Sequence, residues 1–253
     1  MAQVNTAKLR NFIELDTRDQ SACELWSDLH NGRITSSNFG KVIHRRDSTD
    51  NTSIIKQMMG YSRMSGIPAQ MKWGMEKESV ARNCYIKAMN SKGQGDFRVT
   101  SSGLTLSPSH SYLGASADGI IIDPQRPTEP GVLEIKCPVS VDGESILALA
   151  PADIAAKYKG FYLHNHDGQV HLKPTSNYFY QVQGEMAIKS CKWAHFVVWT
   201  PANGGSIFWD EIPFNDQLWQ CEMLPKLQQF FRDVLLPEIL LRKIQQTLLD
   251  VQV

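Results

Sequence analysis

Residues 117–138, ADGIIIDPQRPTEPGVLEIKCP, decide the fold that this sequence predicts. Two apolar runs flank a turn that contains three prolines and ends in glycine, and this pattern predicts a β-hairpin. Because side chains alternate along a strand, Glu134 and Lys136 project to one face while Ile135 points into the core. The hairpin also brings Asp118, at the start of the first strand, beside them.

Two carboxylates and an ammonium at neighbouring strand ends predict a particular chemistry. Hard divalent ions such as Mg²⁺ prefer oxygen ligands and usually keep several waters. Such an ion polarises a phosphoryl oxygen and lowers the pKa of a bound water. Lys136 could orient that water or neutralise the developing charge. The pattern therefore favours metal-assisted phosphodiester hydrolysis, and the alternative is an ordinary hairpin with a solvated Glu134–Lys136 pair.

Helical periodicity appears on both sides of the hairpin. The predicted helices cover residues 20–30, the last part of 32–44 after a turn and a Thr/Ser cap, 72–90, 177–190 and, as one long helix or a helix pair, about 215–250. Within the third of these, the residues expected to face the core are Met75, Val80, Cys84 and Met89. Pro225 and Pro237 are expected to interrupt the last helix, and the polar residues 47–53 to form a loop.

Strand patterns complete the predicted architecture. Residues 97–123 indicate strands joined by turns, and residues 192–201 and 205–214 indicate two more strands. The order is a helical part, a β-meander, and then helix, two strands and helix. We therefore predict an α/β fold with a mixed sheet flanked by helices. Without an internal repeat or a low-complexity linker, residues 1–253 are expected to form a single domain.

Composition excludes several classes of protein. Hydrophobic residues make up 42% and charged residues 21% of the chain, which is typical of a globular protein. No apolar run reaches the roughly 18 residues of a membrane helix, and the first residues lack a secretory signal pattern. We therefore expect an intracellular protein, cytoplasmic or nuclear and not secreted.

Five widely spaced cysteines without a CxxC pair predict free thiols, with no zinc site and no iron–sulfur cluster.

The net charge of zero conceals an uneven distribution. Residues 31–110 hold 12 Lys and Arg against 5 Asp and Glu, whereas the two flanking segments are acidic. A basic first half before an acidic second half suits a phosphate-binding face beside a carboxylate cluster. A solvated surface without a partner explains the same charges.

Five blocks follow one another between about residues 26 and 188: WSDLHNGRITSSNFGKVI, WGMEKESVAR, LGASADGII, LEIKCP and YFYQVQGEMAI. Together they resemble the YqaJ-type viral recombinase family, the lambda-exonuclease-like branch of the PD-(D/E)xK nuclease superfamily. The resemblance implies a restriction-endonuclease-like core at about 26–210 and a C-terminal helical segment at about 215–250. It also implies a magnesium-dependent exonuclease that digests double-stranded DNA from 5′ to 3′ and releases mononucleotides. The hydrolysis would use two metal ions, and Mn²⁺ would substitute for Mg²⁺.

The resemblance assigns roles to the catalytic blocks. Asp118 and Glu134 would bind metal together with the carbonyl of Ile135, and Lys136 would serve the attacking water. Glu78 would contribute to a second metal or its hydration shell. Gln181 would hold the site or the scissile phosphate.

The first block is implied to bind a DNA 5′-phosphate. Ser37, with Ser36 beside it, begins a helix, and helix N-termini and hydroxyls bind phosphate readily. Arg33 is a candidate phosphate ligand next to them. Where the lambda exonuclease has an arginine two residues before the glycine of this block, this chain has His30. Histidine is only partly protonated near pH 7, so phosphate binding would rest more on Arg33.

Two other functions remain open. A restriction-like endonuclease could use the same core, and a two-fold dimer would favour it, whereas a closed trimeric ring of subunits, implied by the resemblance, favours the exonuclease. A non-catalytic protein that binds DNA ends or acts in recombination is the second alternative. A single-strand annealing protein is a further partner that the resemblance implies.

Two residue clusters have more than one interpretation. His164, His166 and His171 could bind metal, but the neighbouring Asp-Gly pair favours an exposed hairpin tip. The aromatic run 178–180 could stack on bases, although aromatics at this spacing more often belong to a core.

Overall fold

The computed structural model describes residues 6–46, 48–61, 68–93 and 95–250, with side chains up to residue 246. Within them the helices are α1 (Ala7–Asp16), α2 (Glu24–His30), α3 (Ser36–Ile43), α4 (Thr52–Met58), α5 (Ala69–Ser91), α6 (Pro151–Lys157), α7 (Asn177–Lys189), α8 (Asp216–Leu218), α9 (Leu224–Phe230), α10 (Leu236–Leu241) and α11 (Lys243–Asp250). The strands are β1 (Ile34–Thr35), β2 (Arg98–Thr100), β3 (Thr105–Leu106), β4 (Leu113–Ala115), β5 (Gly119–Ile122), β6 (Gly131–Lys136), β7 (Ser140–Val141), β8 (Glu144–Ser145), β9 (Leu163–His166), β10 (Gln169–Leu172), β11 (Trp193–Thr200) and β12 (Ser206–Pro213). None of these described helices is long and apolar enough to cross a membrane.

Within the described part of the chain, five strands form the central sheet in the order β12-β11-β6-β5-β2. The pair β6–β11 is parallel, and the other neighbouring pairs are antiparallel. The predicted mixed sheet is therefore confirmed. Every residue of β11 is buried, as is all of β6 except its last residue. Such continuous burial is expected of central strands that helices cover on both faces.

The two faces of this sheet pack against different helices. Tyr85 of α5 belongs to the same buried cluster as Ile135 of β6. Met186 of α7 belongs to a separate cluster, which contains Val132 of β6. Odd-numbered residues of β6 thus face α5 and even-numbered residues face α7, which confirms the alternation predicted from the sequence.

The predicted hairpin is formed by β5 and β6. The two strands are antiparallel, with Gly119 opposite Leu133. This register places Asp118, the residue directly before β5, beside Glu134. In the connecting turn, the Asp123 carboxylate accepts a hydrogen bond from the Gln125 backbone N–H at 2.9 Å.

The core-facing side predicted for α5 is partly wrong. Its buried residues are Ala81, Tyr85 and Met89, whereas Met75 and Val80 are 46% and 43% exposed. The three buried residues are four apart and form one stripe against the sheet, from which Val80 lies about 100° away around the helix axis. Met75 lies in the first half of the helix, before this stripe begins.

The polar segment 47–53, predicted to be a loop, contains the start of α4. The carboxylate of Asp50 accepts hydrogen bonds from the backbone N–H and the hydroxyl of Thr52 at 3.2 and 2.9 Å. Asp, Asn and Thr favour helix starts as well as loops, so the prediction is wrong from Thr52 onward. Asp47 lies outside the described residues.

The C-terminal helical segment continues through Pro225 and Pro237 instead of breaking at them. π-Helical turns at Trp219–Met223 and Phe231–Leu235 precede α9 and α10, and each of these two helices has a proline in its first turn. Proline lacks an N–H and its ring clashes with the carbonyl four residues earlier, so a widened turn accommodates it. The chain leaves the helical conformation at Arg242, where φ is 50°.

The hairpin of β9 and β10 has the predicted tip. Asp167 and Gly168 connect the strands with φ values of 50° and 81°. Two residues with positive φ are typical of a tight hairpin turn.

Candidate active site

The ends of β5 and β6 bring the predicted acidic residues together. The Asp118 carboxylate accepts a hydrogen bond of 2.6 Å from the backbone N–H of Ile135. That N–H belongs to the residue between Glu134 and Lys136, so the Asp118 side chain is fixed beside both. The structure thus places these side chains together as the hairpin pattern predicted.

Glu134 is the most deeply buried carboxylate of this group, with its side chain 2% exposed. Its Oε1 accepts hydrogen bonds from Lys136 Nζ at 2.5 Å and from Gln181 Nε2 at 2.6 Å. Its Oε2 is buried without a hydrogen-bond partner among the described residues. One oxygen is therefore held by two donors, and the other retains its capacity to bind a ligand.

The electrostatics of the site follow from this burial. Burial raises the pKa of Glu134 well above its usual value, and the negative charges of Asp118 and Glu185 raise it further. Burial also raises the pKa of Asp118, against the opposing effect of Lys136. Burial alone would lower the pKa of Lys136, but the nearby carboxylates raise it. Lys136 therefore stays charged. Ionisation of the two carboxyl groups, in contrast, costs more free energy here than it would in water.

Helix α5 contributes Glu78 to the same site. Arg82 Nη2 donates to Glu78 Oε1 at 2.7 Å and to the backbone carbonyl of Asp118 at 2.6 Å. Burial, followed by the charge of Asp118, raises the pKa of Glu78 to about 7. The structure places Glu78, which the family resemblance connects with a second metal, near Asp118 at the same cleft.

Glu78, Asp118 and Lys136 border a cleft of about 450 Å³, whereas Glu134, which bonds Lys136, is buried and is not among its lining residues. Its lining residues are Gln70, Met71, Gly74, Glu78, Asp118, Ile135, Lys136, Cys137, Pro138, Val139, Ser140, Tyr162 and Tyr178. The ammonium of Lys136 lies over the ring of Tyr178, 4.8 Å from its centroid. The cleft thus has an acidic end next to an aromatic and apolar wall.

The residues present fit a hydrated divalent cation. The carboxylates of Asp118, Glu134 and Glu78 supply the oxygen ligands that Mg²⁺ prefers, and Glu134 Oε2 is buried without a partner. Among the described residues, no three His, Cys, Asp or Glu side chains converge as a ready metal-binding group. An ion in this cleft would therefore complete its coordination with backbone carbonyls, water or phosphate, as Mg²⁺ commonly does.

Two of the residues predicted to bind a 5′-phosphate, Arg33 and His30, have polar contacts within the protein. The guanidinium of Arg33 donates to the backbone carbonyls of Ser111 and Leu29 at 3.0 and 2.7 Å. The ring of His30 packs against Trp26 at an interplanar angle of 38°, and burial lowers the pKa of His30, so that it is mostly neutral at pH 7. Neither residue is among the described residues that line the cleft.

The two serines at the start of α3 differ in their surroundings. Ser37 is exposed in the first turn, and its hydroxyl lies 3.4 Å from that of Thr35. Ser36 is buried, and its hydroxyl donates to Glu185 Oε1 at 3.0 Å. Ser37 is therefore accessible to a ligand at the helix N-terminus, whereas Ser36 is used inside the protein.

Glu185 is a buried acid that the sequence analysis missed. Its Oε1 also accepts a hydrogen bond of 2.9 Å from Gln181 Nε2, the group that binds Glu134. Burial raises the pKa of Glu185 to about 7. The spacing of four residues between Gln181 and Glu185 on a predicted helix was the signal that could have identified this pair.

Comparisons with known proteins identify the family and the fold of this chain. A family profile described as the YqaJ-like viral recombinase domain matches residues 25–192, most of the chain. The chain belongs to the YqaJ-like viral recombinase family. That assignment agrees with the five blocks of sequence that resemble this family, since they fall within the matched region. No curated protein sequence matches the chain significantly.

Solved structures show the same fold. An alkaline exonuclease from Laribacter hongkongensis superimposes with a TM-score of 0.61 at 24% identity, over 89% of this chain and 99% of that one. The complex of that exonuclease with dAMP gives 0.60 at 25% identity, with the same coverage. The Shutoff and Exonuclease Protein from Kaposi's sarcoma-associated herpesvirus gives 0.57 at 14% identity, over 89% of this chain and 72% of that one. The fold is therefore the restriction-endonuclease-like α/β fold predicted from the sequence.

Proposed function

We propose that this protein is a metal-dependent deoxyribonuclease, and more specifically a 5′-to-3′ exonuclease on double-stranded DNA. One observation carries the proposal: Asp118, Glu134 and Lys136 meet at the ends of paired strands, next to a cleft that Asp118, Lys136 and Glu78 border. The similar structures support it, because one is named an alkaline exonuclease and was solved with dAMP, and a SOX protein was solved with DNA.

Each side chain has a role that its surroundings support. Asp118, Glu134 and the carbonyl of Ile135 would hold a Mg²⁺ ion, with Glu78 near a second one, and Mn²⁺ would substitute. A bound ion would polarise the phosphoryl oxygen and lower the pKa of a coordinated water. Lys136 would orient the attacking water and offset the charge that develops on the phosphoryl group.

Gln181 would hold Glu134 in place through its 2.6 Å hydrogen bond. The exposed hydroxyl of Ser37 at the start of α3, with Ser36 behind it, would be the contact for a DNA 5′-phosphate. Arg33 would be a further phosphate ligand, since its guanidinium has N–H groups beyond the two bonded to backbone carbonyls, and His30 would support this region through the bond between Nδ1 and the Trp26 carbonyl.

The same proposal covers organisation and partners. Residues 1–253 would form one nuclease domain that acts on DNA ends inside the cell. Subunits would assemble into a ring, which keeps an exonuclease on its duplex. A single-strand annealing protein would receive the strand that digestion exposes.

The deciding experiment compares a 5′-phosphorylated linear duplex with a covalently closed circle, each with Mg²⁺ and with EDTA. We expect mononucleotides from the linear duplex, an intact circle, and no reaction in EDTA. A circle cut as fast as the linear duplex would show an endonuclease. Duplex binding without nucleotide release would show a non-catalytic DNA-end-binding protein.

A further inference from the structure

A buried chain of hydrogen bonds connects the start of α3 to the proposed metal ligand. The Ser36 hydroxyl donates to Glu185 Oε1 at 3.0 Å, and Gln181 Nε2 donates to the same oxygen at 2.9 Å. The same Nε2 donates to Glu134 Oε1 at 2.6 Å. Glu185 is fully buried, and Ser36, Gln181 and Glu134 are nearly so.

The position of Glu185 determines which way the Gln181 amide faces. The amide nitrogen carries two hydrogens, and each is used by one carboxylate. A rotated amide would place its own oxygen against Glu134 and Glu185, where oxygen faces oxygen. With Glu185 holding one hydrogen, the other is directed at Glu134.

The backbone around this chain is tightly packed. Helices α3 and α7 cross in close contact, and two glycines permit the approach. A Cβ on Gly40 would lie 2.5 Å from the backbone of Asn177, and a Cβ on Gly184 would overlap the ring of Phe39. The Ser36–Glu185 bond lies within this crossing, so it fixes the Gln181 side chain relative to a rigid frame.

Glu185 also carries a cost in folding free energy. Its Oε2 is buried without a hydrogen-bond partner among the described residues. A buried carboxylate oxygen without a partner costs folding free energy. An apolar side chain of similar volume would avoid that cost.

We propose that Glu185 is a positioning residue for Glu134. Through the Gln181 amide, Glu185 holds Glu134 Oε1 in place, which leaves Glu134 Oε2 oriented for a divalent cation. Ser36 anchors Glu185 at the other end of the chain. This inference rests on the proposed function only in taking Glu134 to be a ligand of a divalent cation.

The test measures Mn²⁺ binding to the whole protein without DNA, from the electron paramagnetic resonance signal of free Mn²⁺. We expect Glu185→Ala to weaken Mn²⁺ affinity by about 10-fold or more, the usual effect of losing a partner that orients a metal ligand. We expect Glu185→Gln to remain within about threefold of wild type, since its amide oxygen can accept the same two hydrogen bonds.

Nuclease kinetics give a second readout. Glu185→Ala should lower kcat by about 10-fold while the KM for duplex stays within about twofold, since the DNA-contacting residues are unchanged. The matched control is Gln183→Ala on the same helix. Gln183 is a buried amide that bonds the backbone of Pro213 and Asn215, so its loss should lower the Tm and leave Mn²⁺ affinity unchanged.

Wild-type Mn²⁺ affinity in folded Glu185→Ala would overturn the inference, as would Glu185→Gln binding as weakly as Glu185→Ala. If Glu185→Ala does not fold, Ser36→Ala replaces it, with an expected loss of about threefold and no loss as the refuting result. A wild-type protein that binds Mn²⁺ but cleaves no DNA would refute the proposed nuclease while the Glu185 comparison still stands. A wild-type protein that binds no Mn²⁺ would refute both.

Discussion

Asp118→Asn should make the protein more stable while it abolishes cleavage. An Asn oxygen can still accept the 2.6 Å hydrogen bond from the Ile135 N–H, so the junction of β5 and β6 is kept. The negative charge is lost, and the raised pKa of Asp118 means that this charge is unfavourable in the folded protein. Without a metal ion, its removal should therefore stabilise the fold.

The size of the stabilisation expected for Asp118→Asn can be worked from the raised pKa of Glu78. Its pKa rises from 4.5 to about 7, which corresponds to an upper limit of about 3 kcal/mol, and the charge of Asp118 is the second cause after burial. Because the Glu78 side chain is 35% exposed, solvent screening reduces Asp118's share to about 1 kcal/mol. For a chain of this size, about 1 kcal/mol corresponds to a Tm increase of roughly 2–4 °C.

The assay is thermal unfolding in EDTA at low ionic strength, together with cleavage of an end-labelled duplex in Mg²⁺. Loss of a metal ligand should lower kcat by at least about 100-fold. The matched control is Asp123→Asn at the other end of β5. Its carboxylate accepts a turn hydrogen bond, interacts with Tyr85 and His195 and does not line the cleft, so this variant should cleave normally. A lower Tm for Asp118→Asn, with cleavage within threefold of wild type, would refute this assignment of Asp118.

Further predictions concern other parts of the structure. Lys136→Ala should abolish cleavage but leave duplex binding, measured by fluorescence anisotropy, largely intact; cleavage near the wild-type rate would exclude Lys136 from the chemistry. Gly184→Ala should destabilise the fold by about 1–3 kcal/mol in urea, because its Cβ would overlap Phe39, and unchanged stability would show that the crossing can adapt. Burial lowers the pKa of Lys189 to about 8, so the unfolded chain binds more protons just above that pH. Between about pH 8 and 10, the wild type should therefore gain about 1–2 kcal/mol relative to Lys189→Met, and parallel profiles would contradict this.

The parts of the fold that the sequence predicted are those fixed by local signals. The hairpin at 117–138 has apolar strands, a proline-rich turn and a fixed alternation of side chains, so the positions of Asp118, Glu134 and Lys136 followed from the chain itself. The tip at Asp167 and Gly168 was equally local, since that residue pair favours positive φ.

The parts that the sequence did not predict depend on contacts between distant residues. Ser36 and Glu185 are 149 residues apart, and only the crossing of α3 and α7 brings them together. The buried stripe of α5 depends on where the sheet covers the helix, which the helical period alone does not determine. The bonds from the Arg33 guanidinium to two backbone carbonyls, one of them 78 residues away in the sequence, were likewise not predicted.

The central claim is that Asp118 and Glu134 share a hydrated divalent ion. An anomalous difference map from crystals soaked in Mn²⁺ tests it most directly. We predict a peak at metal–ligand distance from one oxygen of Asp118 and from Glu134 Oε2, next to the Ile135 carbonyl, and no such peak in Asp118→Asn crystals. A soaked wild-type crystal with no peak between the two carboxylates, or with the same peak in Asp118→Asn, would contradict the claim.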